Sequence, residues 1–142
     1  MKKFFAFILI VIAALTLCLA SCTQNPSEQN SLWDSATHKE DVSLGNGSKT
    51  VKVEVKAEDK SVTITLNTDK KTLGDALLEH KLVSGEKGAY GLYIKVVNGI
   101  EADYSKTNSY WAFCKDGESV LHGVDSEEIS NGAHYELVYT KE

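Results

Sequence analysis

The chain runs to 142 residues and carries 15 lysines, no arginine, 20 acidic residues and a formal net charge of −5. That length, once a leader and a linker are set aside, holds one folded domain. An acidic surface without arginine argues against nucleic acid and against electrostatic docking on anionic lipid, since both present phosphate to the protein.

Met1-Lys2-Lys3 is a short positive start, and an uncharged apolar run follows from Phe4 to Leu19. The run is too short, and wrongly flanked, for a permanent membrane span; it reads as the apolar segment of a signal peptide. It ends in Leu19-Ala20-Ser21-Cys22, which resembles the bacterial lipobox: an aliphatic residue, two small ones that fit a peptidase cleft, then cysteine. Residues 1–21 are therefore expected to be removed and Cys22 to take a diacylglyceryl group as a thioether. Anchoring by several acyl chains, at about 0.8 kcal/mol per buried CH₂, is effectively permanent. The expected address is the bacterial cell envelope, with the lipid as the only membrane contact. Losing Lys2 and Lys3 takes the net charge from −5 to −7. Cys18 leaves with the leader and Cys22 is acylated, so Cys114 remains as the one thiol. The domain must be held by its core and not by an internal disulfide.

From Thr23 to Ser48 the chain is rich in Ser, Asn, Gln, Thr and Glu and holds the single proline, Pro26. Little here repays ordering entropy, so residues 22–48 are expected to form a flexible tether. As a coil it would reach about 25 to 30 Å and lift the domain clear of the headgroups. Trp33 is out of keeping with that composition: it either docks on the domain or stands exposed.

The domain is expected over 49–142. Val51, Val53 and Val55 share one face of a first strand, and Val62, Ile64 and Leu66 share one face of a second. Period-2 alternation of this kind means half-buried antiparallel strands, with the turn at Ala57 to Lys60. In Thr72-Leu73-Gly74-Asp75-Ala76-Leu77-Leu78-Glu79-His80, Thr72 is placed to cap a helix and Asp75 suits its positive end. Leu73, Ala76, Leu77 and His80 fall on one stripe, and Gly85 marks the stop of a helix of about three turns. Leu92 to Val97 runs into Asn98-Gly99, and Tyr110 to Lys115 runs into Asp116-Gly117; both dipeptides accept φ > 0 and signal tight hairpins. Asn131-Gly132 introduces a last strand, Tyr135 to Tyr139, and short strands are expected near Ile100 and Val120. The order ββαβββ is an α+β arrangement of the β-grasp type: one helix packed on a mixed sheet of four to five strands.

Three stretches then carry a family resemblance: Thr72 to Leu77; Gly91-Leu92-Tyr93-Ile94 through Val97-Asn98-Gly99-Ile100; and Tyr110-Trp111-Ala112-Phe113 with Gly117 and Gly123-Val124. Together they resemble the transcobalamin-like C-terminal domain, the β-grasp domain that closes animal cobalamin carriers over their ligand. The resemblance covers about Val51 to Glu142. It implies that the Tyr-Trp strand and the loop after Asp116-Gly117 form a ligand-facing edge, with Tyr110, Trp111, Phe113, Leu121, His122 and Gly123 as its residues. It also implies a corrinoid ligand and an uptake transporter as partner. The animal carriers hold cobalamin against a large helical domain that this chain lacks, so a lone domain would bind more weakly or need a second protein.

Each candidate has a plainer reading. Trp111 and Phe113 lie two apart on one strand face, so they form either a stacking platform or part of the core; in the second case Tyr110 faces the ligand. His122 as a metal ligand has no second donor at useful spacing, with His134 twelve residues on, His80 on the helix and His38 in the tether. It reads as a surface histidine. Cys114 lacks an oxyanion loop beside it and reads as a small, partly buried side chain. Glu127-Glu128, and Asp103 with Glu101, read as solvated surface charge. No nucleophile–base–orienter set appears, so the expectation is a non-catalytic binding module with no metal and no cofactor of its own. The alternative is a surface module for protein or glycan contact.

Overall fold

In the computed structural model, residues 30–142 are described; the signal peptide, Cys22 and the first part of the expected tether lie outside them. The two alternating segments form β2 (Lys49–Ala57) and β3 (Lys60–Thr68), an antiparallel pair in which Val53 faces Ile64 and Val51 faces Leu66. These side chains are fully buried, at about 1.5–3 kcal/mol each relative to exposure. The turn is Glu58-Asp59, with Glu58 at φ +56°. The last strand, β9 (His134–Lys141), runs parallel to β2 and antiparallel to β7 (Ser109–Lys115), so the sheet is mixed.

Helix α1 (Leu73–Glu79) begins as its sequence predicts: the Asp75 N–H donates to Oγ1 of Thr72. It is shorter than three turns. Lys81 takes φ +53°, its N–H donates to the Leu78 carbonyl, and the Leu82 N–H donates to Leu77. This is a Schellman ending with lysine in the left-handed position that glycine usually fills. Gly85 does other work. It sits at a bulge in β4 (Val83–Gly88), where a Cβ would lie 1.9 Å from the Tyr93 carbonyl oxygen.

β4 pairs with β5 (Gly91–Val97), and β5 pairs with β6 (Ile100–Glu101) through the Asn98-Gly99 turn at φ +51° and +81°. These three strands make a second sheet. The main sheet has six strands, in the order β1-β3-β2-β9-β7-β8, where β1 is Val42–Gly45 and β8 is Glu118–Ser119 beyond the Asp116-Gly117 hairpin. A single turn, α2 (Tyr104–Thr107), joins β6 to β7. The expected architecture stands, with more strands than four to five.

The largest departure is at the front. Ser31–Glu142 is one compact unit, so residues 31–48 are not tether. A 3-10 turn, Leu32–Ser35, buries Trp33 to 5% exposure, and its Nε1–H donates to the Ala57 carbonyl at 2.8 Å. β1 (Val42–Gly45) then lies parallel to β3, with Val42 beside Ile64 and Leu44 beside Leu66. Asn98 clamps the segment: its carbonyl accepts from the Thr37 N–H, its Oδ1 from the His38 N–H, and its Nδ2 donates to the His38 carbonyl. Polar composition concealed two apolar residues at strand spacing, and Trp33, which stood out, takes the docked of its two expected places.

Candidate functional site

In β7, Trp111 stands opposite Tyr139 and Phe113 opposite Leu137, on the face that also carries Tyr135, Val53 and Val55. Both aromatics therefore take the core side of the sheet. β5 of the second sheet approaches that same side, and the two sheets part to leave a cleft of about 220 Å³. Leu92 and Ile94 form one wall, Trp111 and Phe113 the other, and the loop from Val120 to Val124 closes the end. Core and platform were opposed in the sequence reading; the pair takes the core side and also lines the cleft. Another hollow, about 290 Å³ between Gly45 and His80, is lined mostly by Asn46, Asn67, Asp69, Lys70 and Glu79, and the His80 imidazole is its one ring.

Of the residues expected at the edge, Tyr110, Trp111, Phe113, His122 and Gly123 line the cleft. Leu121 does not; it projects fully into solvent, as does Tyr90 at the β4–β5 turn. Trp111 is 8% exposed and packs edge-on against Tyr139 at 5.5 Å, yet its Nε1–H is buried without an acceptor. A buried unpaired donor costs about 1–3 kcal/mol, which a ligand oxygen within reach would recover.

Glu127 stands behind the loop, and its place corrects the reading of Glu127-Glu128 as solvated charge. Glu128 is exposed and pairs with Lys71, but Glu127 is 6% exposed. Its Oε1 accepts from Lys115 Nζ at 2.7 Å and its Oε2 meets His122 Nε2 at 2.8 Å. Burial works against its charge, but the Lys115 and His122 hydrogen bonds outweigh burial and hold the carboxyl below its ordinary value. The same contact raises the Lys115 ammonium. Burial, with the Glu127 charge beside it, pushes the Tyr135 phenol up. Phe113 lies between these groups, 6.5 Å and nearly perpendicular to His122, and 6.0 Å from Tyr135.

Asp125 fixes the opposite wall. Its Oδ2 accepts from the Leu92 N–H at 3.1 Å, and the close approach of two glycines makes room for its carboxylate. A Cβ on Gly74 would lie 2.8 Å from Oδ1, while Gly91 holds φ +102° beside Oδ2. Asp125 thus bonds to β5 and packs against the start of α1, where its Oδ1 is buried without a partner. Asp125 did not stand out in the sequence, and Glu127 stood out only as half of an acidic pair, because both belong to the run Asp125-Ser126-Glu127-Glu128. Cys114 is on the reverse face of β7, opposite Glu136 in register, and is not part of the cleft. Among the described residues, no three side chains of His, Cys, Asp or Glu gather as metal ligands, and no helix is long and apolar enough to cross a membrane.

Residues 70–141 match the model of a family described as "Domain of unknown function (DUF4430)". The chain belongs to this family. A crystal structure of a candidate metal-binding protein from Ruminococcus gnavus is 34% identical with a TM-score of 0.63, covering 67% of this chain and 99% of that one. Haptocorrin in complex with Cbi is similar in fold, with a TM-score of 0.50 and 20% identity over 69% of this chain. The match spans 26% of haptocorrin's length. No curated protein matches the chain.

Proposed function

We propose that this family member is a non-catalytic, lipid-anchored domain of the bacterial cell envelope that captures a corrinoid in the cleft and passes it to a membrane uptake transporter. The motif resemblance to transcobalamin-like C-terminal domains supports the ligand class, and the shared fold with haptocorrin agrees with it. The observation that carries the reading is the aromatic wall with an unpaired, buried Trp111 N–H: flat area for a ring system beside a donor for a peripheral amide or hydroxyl. A cleft of about 220 Å³ admits only part of a corrin, so a second surface covers the rest.

The test is titration of residues 31–142 with cobalamin and cobinamide, followed by fluorescence and calorimetry. Trp33 lines a separate hollow and is about as buried as Trp111, so the titration is run in parallel on Trp33→Phe, where ligand-dependent quenching reports on Trp111 alone. Saturable binding at about micromolar Kd, near −8 kcal/mol, is expected, weakened in Trp111→Phe by the lost N–H. Absence of saturable heat or quenching removes stand-alone corrinoid capture. A protein- or glycan-contact module then leads, and the fully exposed Tyr90 and Leu121 near the cleft favour it as the second reading.

A further inference from the structure

We infer that His122 offers its Nδ1 to the open axial position of a metal that arrives already chelated in the ligand. This rests on the corrinoid reading above and names the contact that would give it metal specificity. Glu127 is buried against the Lys115 ammonium at 2.7 Å and faces His122 Nε2 at 2.8 Å. A carboxylate accepts and does not donate, so in the neutral ring Nε2 carries the proton and the lone pair sits on Nδ1. No described side chain bonds Nδ1, and His122 is half exposed at the end of the cleft. A carboxylate on the far ring nitrogen fixes the tautomer and raises the basicity of the near one, the arrangement that usually backs a metal-ligating histidine.

One imidazole does not retain a bare ion, and no three-ligand group is present among the described residues. One imidazole does complete a metal whose equatorial ligands come with it. The cleft that His122 ends is walled by Trp111 and Phe113, which independently suits a flat chelate. In the step, Nδ1 forms a bond to cobalt, the bond from cobalt to an axial water breaks, and the water leaves; no electron is transferred.

Mixing the full chain with aquacobalamin, whose axial water exchanges, is compared with cyanocobalamin, whose cyanide does not. The expected result is a change in the visible spectrum with aquacobalamin alone, absent in His122→Ala and in the size-preserving His122→Gln. Glu127→Gln should weaken aquacobalamin binding about tenfold through the loss of the backing carboxylate. Binding of both cobalamins with no spectral change, or a change that persists in a folded His122→Gln, overturns this inference and leaves the cleft reading intact. Failure to bind either cobalamin overturns both.

Discussion

Replacing Trp33 by alanine tests whether the segment before β2 belongs to the domain. The indole is 5% exposed, and its N–H is bonded to the carbonyl of Ala57, itself buried. Removing a buried tryptophan costs about 3–5 kcal/mol in lost transfer energy and residual cavity. The orphaned carbonyl lies within that range, since mutational costs are not additive. Taking about 4 kcal/mol for a domain of somewhat over a hundred residues, the expected fall in Tm is about 15–20 °C. Urea unfolding of residues 31–142, read by far-ultraviolet circular dichroism, gives the free energy directly. Trp33→Phe keeps most of the volume and should lose only about 1–2 kcal/mol. A loss below about 1 kcal/mol in Trp33→Ala would refute the docked segment and restore the tether. The result bears on the site, because the same segment is clamped by Asn98, at the end of the strand that walls the cleft.

Gly74→Ala should destabilise by about 1–3 kcal/mol although alanine is the better helix former, because a Cβ would press within 2.8 Å of Asp125; chemical denaturation decides the sign. Glu127 holds its carboxyl below the ordinary value when folded, so its contribution is complete above the unfolded carboxyl range and lost as pH falls through the folded value. Glu127→Gln should flatten that acid limb in a stability–pH series, and an unchanged limb would show that other carboxylates account for it. Leu121→Asp, at a fully exposed position, should move stability by no more than about 0.5 kcal/mol. If the same substitution abolishes capture of a protein or glycan in a pull-down while corrinoid binding survives, the second reading of the edge gains ground.

The strands that alternate strictly were legible because one face is fully buried, as in Val51, Val53 and Val55, and because Asn98-Gly99 and Asp116-Gly117 demand φ > 0. β4 was not legible. Ser84 to Gly88 are all exposed, so no apolar face marks the strand, and only its pairing with β5 defines it. The end of α1 was missed for a related reason: Lys81 accepts the left-handed position against its intrinsic preference, since Leu82 is pulled into the core at 2% exposure. At the site, the aromatic residues were legible from resemblance and spacing, but the two carboxylates that arrange them were not. Glu127 meets Lys115 twelve residues away, and Asp125 meets Leu92 thirty-three away; neither separation has a sequence signature.

Glu127 also poses an energetic question that bears on function. A buried ion pair is weak support for a fold, since well-packed apolar residues of similar volume are often as stabilising or more so. The fold here is already held by an apolar core that includes Val124, Ile129 and Tyr135, with Phe113 packed against it. What the carboxylate does, and an apolar residue would not, is to hold Lys115 and His122 at opposite oxygens and set which ring nitrogen of His122 is free. Its cost is therefore better explained by orientation than by stability. That charge stands beside the cleft walled by Trp111 and Phe113, where orientation of His122 bears on the proposed site.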